Sequence, residues 1–234
     1  MLILIPTYNE RENIVTLLRE LQTSVPEAEV LVLDDASPDG TADAVEDVSS
    51  ELSAVRVLRR EGARGLGRAY LDGFRLSLAD DYEVTVCMDA DFSHDPGDVT
   101  RLAQGLKAGA DVVVGSRYIS GGRVLNWPLN RLLLSRGAAL YTRLVTGLPV
   151  KDPTGGFNVY SRRALKALPL DRIDSDGYSF QIEIKHTLWK QGFRIDEVPI
   201  AFTERREGRS KLNRGIVREA VGVVWRLRRF RIRV

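Results

Sequence analysis

Two aspartates one residue apart, Asp89 and Asp91, follow the apolar run VTVCM. Carboxylates held this close repel each other, and the pKa of one rises unless a positive charge compensates. Mg²⁺ and Mn²⁺ resolve that conflict, because they take oxygen ligands from one or two carboxylates, water and substrate phosphates. The structural alternative is a turn or a helix cap. Asp95 alone suffices for the cap, so the pair predicts a metal site. Ser93 and His94 are candidates for a further contact, directly or through water.

Polar residues also follow two earlier apolar runs, in the segments PTYNERENI and LDDASPDGT. Tyr8 in the first segment is suited to stack on a base or ribose, and Glu10 can accept hydrogen bonds from hydroxyl or base N–H groups. Asp35 in the second segment offers the same kind of acceptor. The structural alternative is that Asn9 or Thr7 caps the following helix. That role would not explain Tyr8. These segments therefore predict a nucleoside site.

Other nucleotide motifs are missing from the sequence. Neither segment contains the Gly-x-Gly-x-x-Gly pattern of dinucleotide-binding turns. The stretch GARGLG at 62–67 lacks the Lys-Ser/Thr ending of a P-loop, and we interpret it as a flexible loop that carries Arg64. The two histidines provide no obvious general base: His94 adjoins the aspartate pair, and His186 is expected to be structural.

The candidate residues belong at the ends of predicted strands. Short apolar runs rich in β-branched residues lie at 2–5, 29–34, 54–58, 83–89 and 111–115. Their lack of alternation indicates parallel strands that are covered on both faces. Helical patterns separate them at 13–22, 66–79 and 99–109. This alternation predicts an α/β fold with a Rossmann-like, mostly parallel sheet flanked by helices. Ligands of such sheets bind at the carboxyl ends of the strands, where the candidate residues cluster.

The pattern is less regular after residue 117. We predict a glycine-rich connection (119–128), an arginine-bearing helix (130–147), a turn with a short strand (152–161), a helix ended by Gly192 (178–192), an extended segment (193–203) and a polar loop (207–215). The sequence shows no internal repeat. It is interpreted as a single domain over 1–215, followed by a basic amphipathic helix over 216–234.

The composition excludes several classes of protein. With 234 residues, of which 44% are hydrophobic and 28% charged, the chain has the composition and length of one large α/β domain. No run approaches the ~18 consecutive apolar residues of a membrane span. The segment MLILIP is too short for a signal peptide, and the lone Cys87, expected to be a buried strand residue, cannot form an intramolecular bridge. We therefore expect a cytosolic protein.

The net charge of +2 is unevenly distributed. Residues 205–234 contain eleven Arg and Lys residues against two Glu residues, a local charge of +9 that leaves −7 for the rest of the chain. This tail is either a solvated helix end or a surface for phosphate or anionic lipid. Its last part mixes Trp225, Leu227 and Phe230 with arginines, which suits a helix on an anionic membrane, and packing against the domain is the alternative. Nucleic acid is not an expected partner, because the remainder is acidic and lacks aromatic–basic interleaving.

A series of segments occurs in the order found in one enzyme family: PTYNERENI, LDDASPDGT, GLGRAYLDGF, MDADFSHDP, VVGSRYISGG, SRGAALYTR, DPTGGFNVYSR, EVPIAFTER and GRSKL. Together they resemble the polyprenol-phosphate mannose synthases, also called dolichol-phosphate mannosyltransferases, which are inverting glycosyltransferases of the A-type fold. The resemblance covers roughly residues 2–215, so that domain is expected to be a single glycosyltransferase catalytic domain. The segments SRGA and SKL narrow the resemblance towards polyprenyl phosphate acceptors.

The resemblance implies roles for residues on the donor side. The nucleoside would be held by Pro6, Tyr8, Glu10, Leu33 and Asp35. The diphosphate, its metal and the sugar would be held by Asp89, Ala90 and Asp91. Of these, Asp91 would be the most direct ligand of the cofactor, Mg²⁺ or Mn²⁺. A loop bearing Arg205 and Lys211 would close over the donor diphosphate.

On the acceptor side, the resemblance implies that Arg117 and Arg136 face the phosphate of a polyprenyl lipid. The implied reaction transfers mannose from GDP-mannose to polyprenyl (dolichyl) phosphate and gives the β-linked product by metal-assisted inverting displacement. A phosphate monoester is mostly dianionic at neutral pH, so the site must supply charge neutralisation rather than a strong base. The expected catalytic residues are Asp91, Arg117 and Arg136, in an enzyme peripheral on the cytosolic face of a membrane.

Two alternatives remain open from the sequence. The first is a transferase of the same fold that uses another sugar nucleotide, such as UDP-glucose. The second is a non-catalytic sugar-nucleotide-binding or scaffold subunit. A subunit of that kind would retain Tyr8 and Asp35 but would not need Arg117 or Lys211, so the presence of these cations argues against it.

Overall fold

A computed structural model of the chain describes residues 1–204 and 222–228. Its strands are β1 (Leu2–Thr7), β2 (Glu29–Asp34), β3 (Val55–Arg59), β4 (Val84–Cys87), β5 (Val112–Ser116), β6 (Arg123–Leu125), β7 (Asn158–Ser161), β8 (Ile195–Pro199) and β9 (Ala201–Thr203). Its helices are α1 (Arg11–Ser24), α2 (Thr41–Ser49), α3 (Leu66–Ala79), α4 (Asp98–Lys107), α5 (Leu129–Thr146), α6 (Arg162–Ala167) and α7 (Gly177–Lys190), with a short 3-10 helix at Leu170–Arg172.

Seven strands form the central sheet in the order β3-β2-β1-β4-β7-β5-β8. The pairs β1–β2, β1–β4, β2–β3 and β5–β8 are parallel, and only β7 runs antiparallel, between β4 and β5. The predicted Rossmann-like, mostly parallel sheet is therefore confirmed. A small parallel pair, β6–β9, lies apart from the central sheet.

Alternate residues of the strands enter two separate cores, because successive side chains point to opposite faces of a sheet. In β1, Ile3 and Ile5 pack with α1, α2 and α4, whereas Leu2 and Leu4 pack with α3, α6 and α7. All four side chains are fully buried. Burial on both faces explains why these runs are continuously apolar. Cys87 lies in the second core with 1% exposure, as predicted.

The predicted helices form with small shifts at their ends. The 66–79 helix is found as predicted, and the helix expected at 130–147 is α5. Gly147 and Gly192 follow α5 and α7 with positive φ angles of 75° and 85°, the left-handed conformation that ends a helix with little strain in glycine. The sequence did not predict β6, α6 or the antiparallel direction of β7.

Two predicted caps are wrong. Asp95 does not cap α4, whose N-cap is Gly97 without a side-chain hydrogen bond. Neither Asn9 nor Thr7 caps α1, whose N-cap is Glu10 without a side-chain hydrogen bond. The Thr7 hydroxyl instead donates to Asp34 Oδ1 at 3.0 Å and ties the end of β1 to the end of β2. Asn9 adopts a left-handed φ of 60°, and its backbone N–H donates to Ser37 Oγ at 3.0 Å. The local hydrogen bonds therefore shape the strand ends rather than the helix start.

Residues 222–228 are helical and pack on the domain. Val223, Val224 and Leu227 are buried in a cluster with Ile182 of α7. Arg226 donates to Ser175 Oγ at 2.9 Å. Within the described ranges, no helix combines the length and apolar character needed to cross a membrane.

Candidate active site

A cavity of about 420 Å³ opens at the carboxyl ends of β1, β2, β4 and β5. An acidic side, an aromatic side and a basic side meet in it. Its polar and aromatic lining includes Tyr8, Glu10, Asp35, Arg64, Asp89, Asp91, Ser93, Arg117, Trp127, Arg131, Asp176, Tyr178 and Gln181. The cavity therefore lies where the rule for parallel sheets places a ligand.

The acidic side consists of Asp89 and Asp91, in the turn that follows β4. The Asp91 side chain accepts a hydrogen bond from Ser93 N–H at 3.1 Å, which fixes the turn. Asp89 N–H donates to His94 Nδ1 at 3.1 Å, and His94 Nε2 lies 3.9 Å from Asp89 Oδ2. Both carboxylates line the cavity, so the strand end presents them to a common ligand.

His94 supports Asp89 from behind. Its side chain is 1% exposed and is stacked on Phe157, with ring centroids 4.8 Å apart. Burial lowers the pKa of His94, so the ring is neutral at pH 7. Nδ1 accepts the backbone N–H of Asp89, so the proton is on Nε2, the nitrogen nearer the carboxylate. The sequence offered His94 as a further metal contact; in the structure it does not line the cavity, and its Nδ1 already accepts the Asp89 N–H.

The acidic side suits Mg²⁺ or Mn²⁺. In the part of the chain that the structure describes, no group of three or more His, Cys, Asp or Glu side chains is arranged to hold a metal. Asp89 and Asp91 would thus supply two carboxylates, leaving further positions for water and substrate phosphate. Hard divalent cations that bind nucleotide phosphates use this donor set.

The aromatic side lies at the ends of β1 and β2. The Arg64 guanidinium lies 4.4 Å from the centroid of the Tyr8 ring and donates to Tyr8 Oη at 2.6 Å. Asp35 accepts from Gly65 N–H at 2.9 Å and forms an ion pair with Arg60. The loop that was expected to be flexible is thus tied to two of the predicted nucleoside residues, Tyr8 and Asp35. The sequence did not assign Arg60 to the site.

Several residues after these strands adopt a strained backbone. Asn9, Ala36 and Phe92 have positive φ angles of 60°, 52° and 61°. They follow β1, β2 and β4 respectively. Left-handed backbone costs a non-glycine residue about 1 kcal/mol or more, and such strain concentrates at functional sites. The turns at this edge are therefore shaped at some cost in stability.

The basic side is built around Arg117, which follows β5. Arg117 Nε and Nη2 each lie 2.7 Å from an oxygen of Asp152, and Nη2 also donates to Thr154 Oγ1 at 3.0 Å. The two charged side chains are 5% and 0% exposed. Burial by itself would raise the pKa of Asp152, but Arg117 more than offsets it, so that pKa lies below its ordinary value. The pair stays ionised and holds the guanidinium in one orientation.

Arg131, at the start of α5, is a second cation of the cavity. It lies 3.9 Å above the centroid of the Trp127 ring and forms an ion pair with Glu204. Arg117 lies 5.8 Å from the same ring. Both guanidinium groups therefore lie within 6 Å of the Trp127 ring, and the cation–π contact restricts the orientation of Arg131.

The structure brings most of the predicted residues together and separates some. The cavity is lined by Pro6, Tyr8, Glu10, Asp35, Asp89, Ala90, Asp91 and Arg117. Leu33 does not line it, because its side chain is fully buried in the core. Arg136 does not line it either, because it lies on the exposed side of α5 with its guanidinium 5.8 Å from the Tyr118 ring. Arg205 and Lys211 lie outside the described residues.

Arg131 was missed for a specific reason. The sequence offered several arginines in the 130–147 helix, and the motif resemblance selected Arg136 among them. Five residues on a helix amount to nearly one and a half turns, so Arg131 and Arg136 project in different directions. An amphipathic analysis of that helix, with the leucines placed outward, would have put Arg131 on the cavity side.

The family follows from comparison with known sequences. The sequence model of the family described as "Glycosyl transferase family 2" matches residues 2–168. The chain belongs to glycosyl transferase family 2. It is 46% identical to the undecaprenyl-phosphate mannosyltransferase of Micrococcus luteus, over 94% of this chain and 90% of that protein.

Two further relatives carry related names. The chain is 43% identical to the polyprenol monophosphomannose synthase of Mycolicibacterium smegmatis, over 94% of this chain and 83% of that protein. It is 35% identical to the dolichol-phosphate mannosyltransferase of Pyrococcus furiosus, over 96% of this chain and 62% of that protein. The resemblance seen in the sequence motifs is confirmed, and this member of glycosyl transferase family 2 is a glycosyltransferase.

Solved structures confirm the fold. The glucosyl-3-phosphoglycerate synthase of Mycobacterium tuberculosis, in complex with Mn²⁺, UDP and phosphoglyceric acid, matches with a TM-score of 0.72. The match covers 99% of this chain and 79% of that chain at 20% identity. The A-type glycosyltransferase fold predicted from the sequence is therefore confirmed.

Proposed function

We propose that this glycosyltransferase transfers mannose from GDP-mannose to the phosphate of a polyprenyl lipid. One observation carries the proposal: a single cavity has an acidic pair on one side and two oriented arginines on the other. The names of the relatives, a polyprenol monophosphomannose synthase and two polyprenyl-type phosphate mannosyltransferases, support the sugar and the acceptor. The reaction joins two phosphate-bearing substrates, and the division of charge within the cavity suits both.

The donor binds, in this proposal, at the ends of β1, β2 and β4. Tyr8 offers its ring to the base, and Asp35 and Glu10 offer carboxylates to base N–H or ribose hydroxyl groups. Arg64, which covers the Tyr8 ring, either moves or adds a cationic contact when the base stacks there. Pro6 and Ala90 complete the lining through their small, rigid surfaces.

Asp89 and Asp91 would hold Mg²⁺ or Mn²⁺ between the protein and the donor diphosphate. The metal, when bound, offsets the negative charge of the nucleoside diphosphate leaving group. The protein's part is to keep both carboxylates in place. Ser93 N–H restrains Asp91 at 3.1 Å, and His94 restrains the backbone of Asp89. Support from such neighbours typically accounts for about 10–100-fold in metal affinity or activity.

Arg117 and Arg131 bind the acceptor phosphate in this proposal. The phosphate monoester is mostly dianionic at neutral pH, since its second pKa is near ~6, so it attacks the sugar without a strong general base. Guanidinium groups lower the repulsion between this dianion and the donor diphosphate. Attack on the face opposite the leaving group inverts the anomeric carbon and gives a β-linked product from an α-linked donor. Arg205 and Lys211 are proposed to add positive charge over the donor.

A lipid acceptor requires contact with a membrane, and α5 provides a suitable surface. Leu129, Leu133, Leu140 and Leu144 are 69%, 60%, 52% and 76% exposed. Their spacing of four, seven and four residues places them on one stripe of the helix. Arg136 is exposed on the same helix and suits a lipid headgroup. We propose that α5, together with the basic C-terminal segment, holds the enzyme peripherally on a membrane. The cytosolic face remains a prediction from the sequence.

A transfer assay tests the reaction. Purified protein is incubated with labelled GDP-mannose, polyprenyl phosphate and Mn²⁺, and label extracted into the lipid phase is counted. UDP-glucose is the competing donor, and it should give no product. Binding of GDP-mannose without labelled lipid would favour the scaffold alternative and overturn the proposed function.

Two matched variants test the acidic pair. Asp91→Asn is expected to reduce transfer by about 100-fold or more, because it removes a charge from the ligand set. Asp95→Asn is the control. Asp95 lies in the same turn and accepts a hydrogen bond from Gly97 N–H at 2.8 Å, but it does not line the cavity. This variant should retain activity. Full activity of Asp91→Asn, or of the wild type in EDTA, would rule out the metal-assisted reaction.

Vesicle sedimentation tests the membrane contact. Replacing Leu133 and Leu140 by Gln removes two leucines from the exposed stripe, each worth about 1.5–3 kcal/mol when fully buried in a membrane. Binding to vesicles of phosphatidylglycerol and phosphatidylcholine should weaken at least about tenfold. Leu125→Gln changes a leucine of β6 that is 41% exposed and should leave binding unchanged. Equal binding of all the variants would refute the role of α5.

A further inference from the structure

Lys185 is a buried charged residue with no place in the mechanism so far. It lies in α7, and its side chain is 0% exposed. Nζ donates to Gly155 O at 2.8 Å, to Pro153 O at 3.3 Å and to Gln181 Oε1 at 3.4 Å. These three bonds use all the donors of an ammonium group. Two of the three acceptors are backbone carbonyls of a single turn, residues 152–156.

Asn158 completes the network around the ammonium group. Its Nδ2 donates to Gly155 O and to Gln181 Oε1, both at 2.9 Å. Lys185 and Asn158 therefore share the same two acceptors and close a ring of hydrogen bonds. Gln181 lines the cavity. The network thus connects the buried face of α7 to the cavity lining.

The turn at 152–156 contacts both sides of the active site. At its start, Asp152 holds Arg117 through side-chain contacts of 2.7 Å. At its end, a Cβ atom added to Gly156 would lie 3.4 Å from Asp89 Oδ1, an ordinary van der Waals distance. A shift of this turn by a few tenths of an ångström would therefore act mainly on the basic side, to which the turn is hydrogen-bonded.

Burying a lysine here is costly. Burial lowers the pKa of Lys185 to about 7, against the opposing effects of Asp152, Cys87 and Glu197 and with a contribution from Arg117. A well-packed apolar side chain of similar volume is often neutral or stabilising at such a position. A lysine is present in spite of that cost, and it differs from an apolar side chain in that its Nζ donates hydrogen bonds to two carbonyls of the turn.

We propose that Lys185 is a positioning residue for the acceptor side of the active site. Its hydrogen bonds hold the carbonyls of Pro153 and Gly155 against α7. The position of this turn then fixes Asp152 next to Arg117. Lys185 itself does not line the cavity and does not touch the substrates. The inference rests on the proposed function only insofar as Arg117 binds the acceptor phosphate. The stabilisation of the turn by Lys185 can be measured separately.

Two variants of α7 separate positioning from general stability. Lys185→Met keeps the length of the side chain but donates no hydrogen bonds. Ile184→Ala removes the fully buried core side chain of the neighbouring residue, and that side chain has no polar atom with which to hydrogen-bond the turn. For each protein, Tm, the KM values of GDP-mannose and polyprenyl phosphate, and hydrogen exchange of peptides covering 152–158 are measured.

Lys185→Met is expected to raise the KM of polyprenyl phosphate about tenfold or more, because it misplaces the Arg117 guanidinium. The KM of GDP-mannose should change by less than about twofold, and exchange at 152–158 should accelerate. Ile184→Ala should lower Tm without raising the KM of polyprenyl phosphate selectively over that of GDP-mannose. The inference is overturned if Lys185→Met matches the wild type, or if both variants alter all parameters in proportion to Tm.

Failure of the proposed function gives a different result. In that case the wild type itself forms no mannosyl lipid, and the kinetic comparison does not apply. Hydrogen exchange then decides the role of Lys185. Faster exchange at 152–158 in Lys185→Met, and not in Ile184→Ala, supports the grip on the turn, and equal exchange in all three proteins overturns it.

Discussion

The ion pair between Arg117 and Asp152 allows a quantitative test of the basic side. The side chains are only 5% and 0% exposed, and two N–O contacts of 2.7 Å join them. Asp152→Asn keeps the shape of the side chain but leaves a buried guanidinium without its counter-charge. Removing one partner of a buried pair costs about 3–5 kcal/mol. Asp152 also offsets the charge of Lys185, so we expect the loss to lie in the upper part of that range.

The chain contains a matched control on its surface. Arg194 and Asp196 form a pair with the same two-pronged geometry, with N–O distances of 3.1 and 2.6 Å. Their side chains are 59% and 34% exposed, however. Exposed pairs are worth about 0–1 kcal/mol. Asp196→Asn should therefore have a small effect, because burial is the main difference between the two ion pairs.

Urea denaturation of the wild type and both variants measures these free energies of unfolding. The pKa of Asp152 is lowered in the folded state, so its contribution is full above the ordinary pKa of 3.8 and is lost as the pH falls through the lower folded value. The difference between wild type and Asp152→Asn should therefore narrow as the pH falls below 3.8.

The refuting result is specific. If Asp152→Asn loses less than about 1 kcal/mol, or no more than Asp196→Asn, the pair does not behave as a buried ion pair. The orientation of Arg117 would then not depend on Asp152, and the turn at 152–156 would lose its assigned role.

Further outcomes follow from the same geometry. Between the lowered pKa of Lys185, about 7, and the ordinary value of 10.5, the unfolded chain binds more protons than the folded one, so stability rises with pH. Urea titrations of Lys185→Met should lack that rise. His94→Gln should weaken Mn²⁺-dependent binding of GDP about tenfold in calorimetry, because it disturbs the backbone of Asp89; unchanged affinity would exclude an orienting role. Arg131→Ala should raise the KM of polyprenyl phosphate in detergent about tenfold, and Arg136→Ala should not; the reverse order would restore the assignment made from the sequence.

The fold was predictable because strands that are buried on both faces of a parallel sheet appear in the sequence as continuous apolar runs. Runs such as LILI and EVLVLD have no alternation, and they end where polar side chains begin. That boundary located the cavity, since ligands bind at the carboxyl ends of such strands. The antiparallel β7 was not predictable in the same way. Its four residues, Asn158–Ser161, pair between β4 and β5, and so short a segment does not specify the direction of the strand.

The supporting residues were harder to predict than the residues that line the cavity. Asp152 and Lys185 lie 33 residues apart in sequence and meet only through packing of α7 beneath the turn. Leu33 shows the converse. The family resemblance implied a nucleoside contact for Leu33, but the alternation of the strand sends its side chain into the core.

The two cations of the basic side are held with different strength, and this difference bears on how a phosphate enters. The pair formed by Arg117 is nearly inaccessible to solvent, whereas the side chains of Arg131 and Glu204 are 21% and 32% exposed. Exchanging a carboxylate for an incoming phosphate costs less where water already reaches both partners, because little new desolvation is required. Arg131 is therefore the cation that can exchange its partner, while Arg117 keeps Asp152 and serves as a fixed donor. A site with one fixed and one exchangeable guanidinium can orient a dianion without presenting an uncompensated buried charge when the lipid is absent.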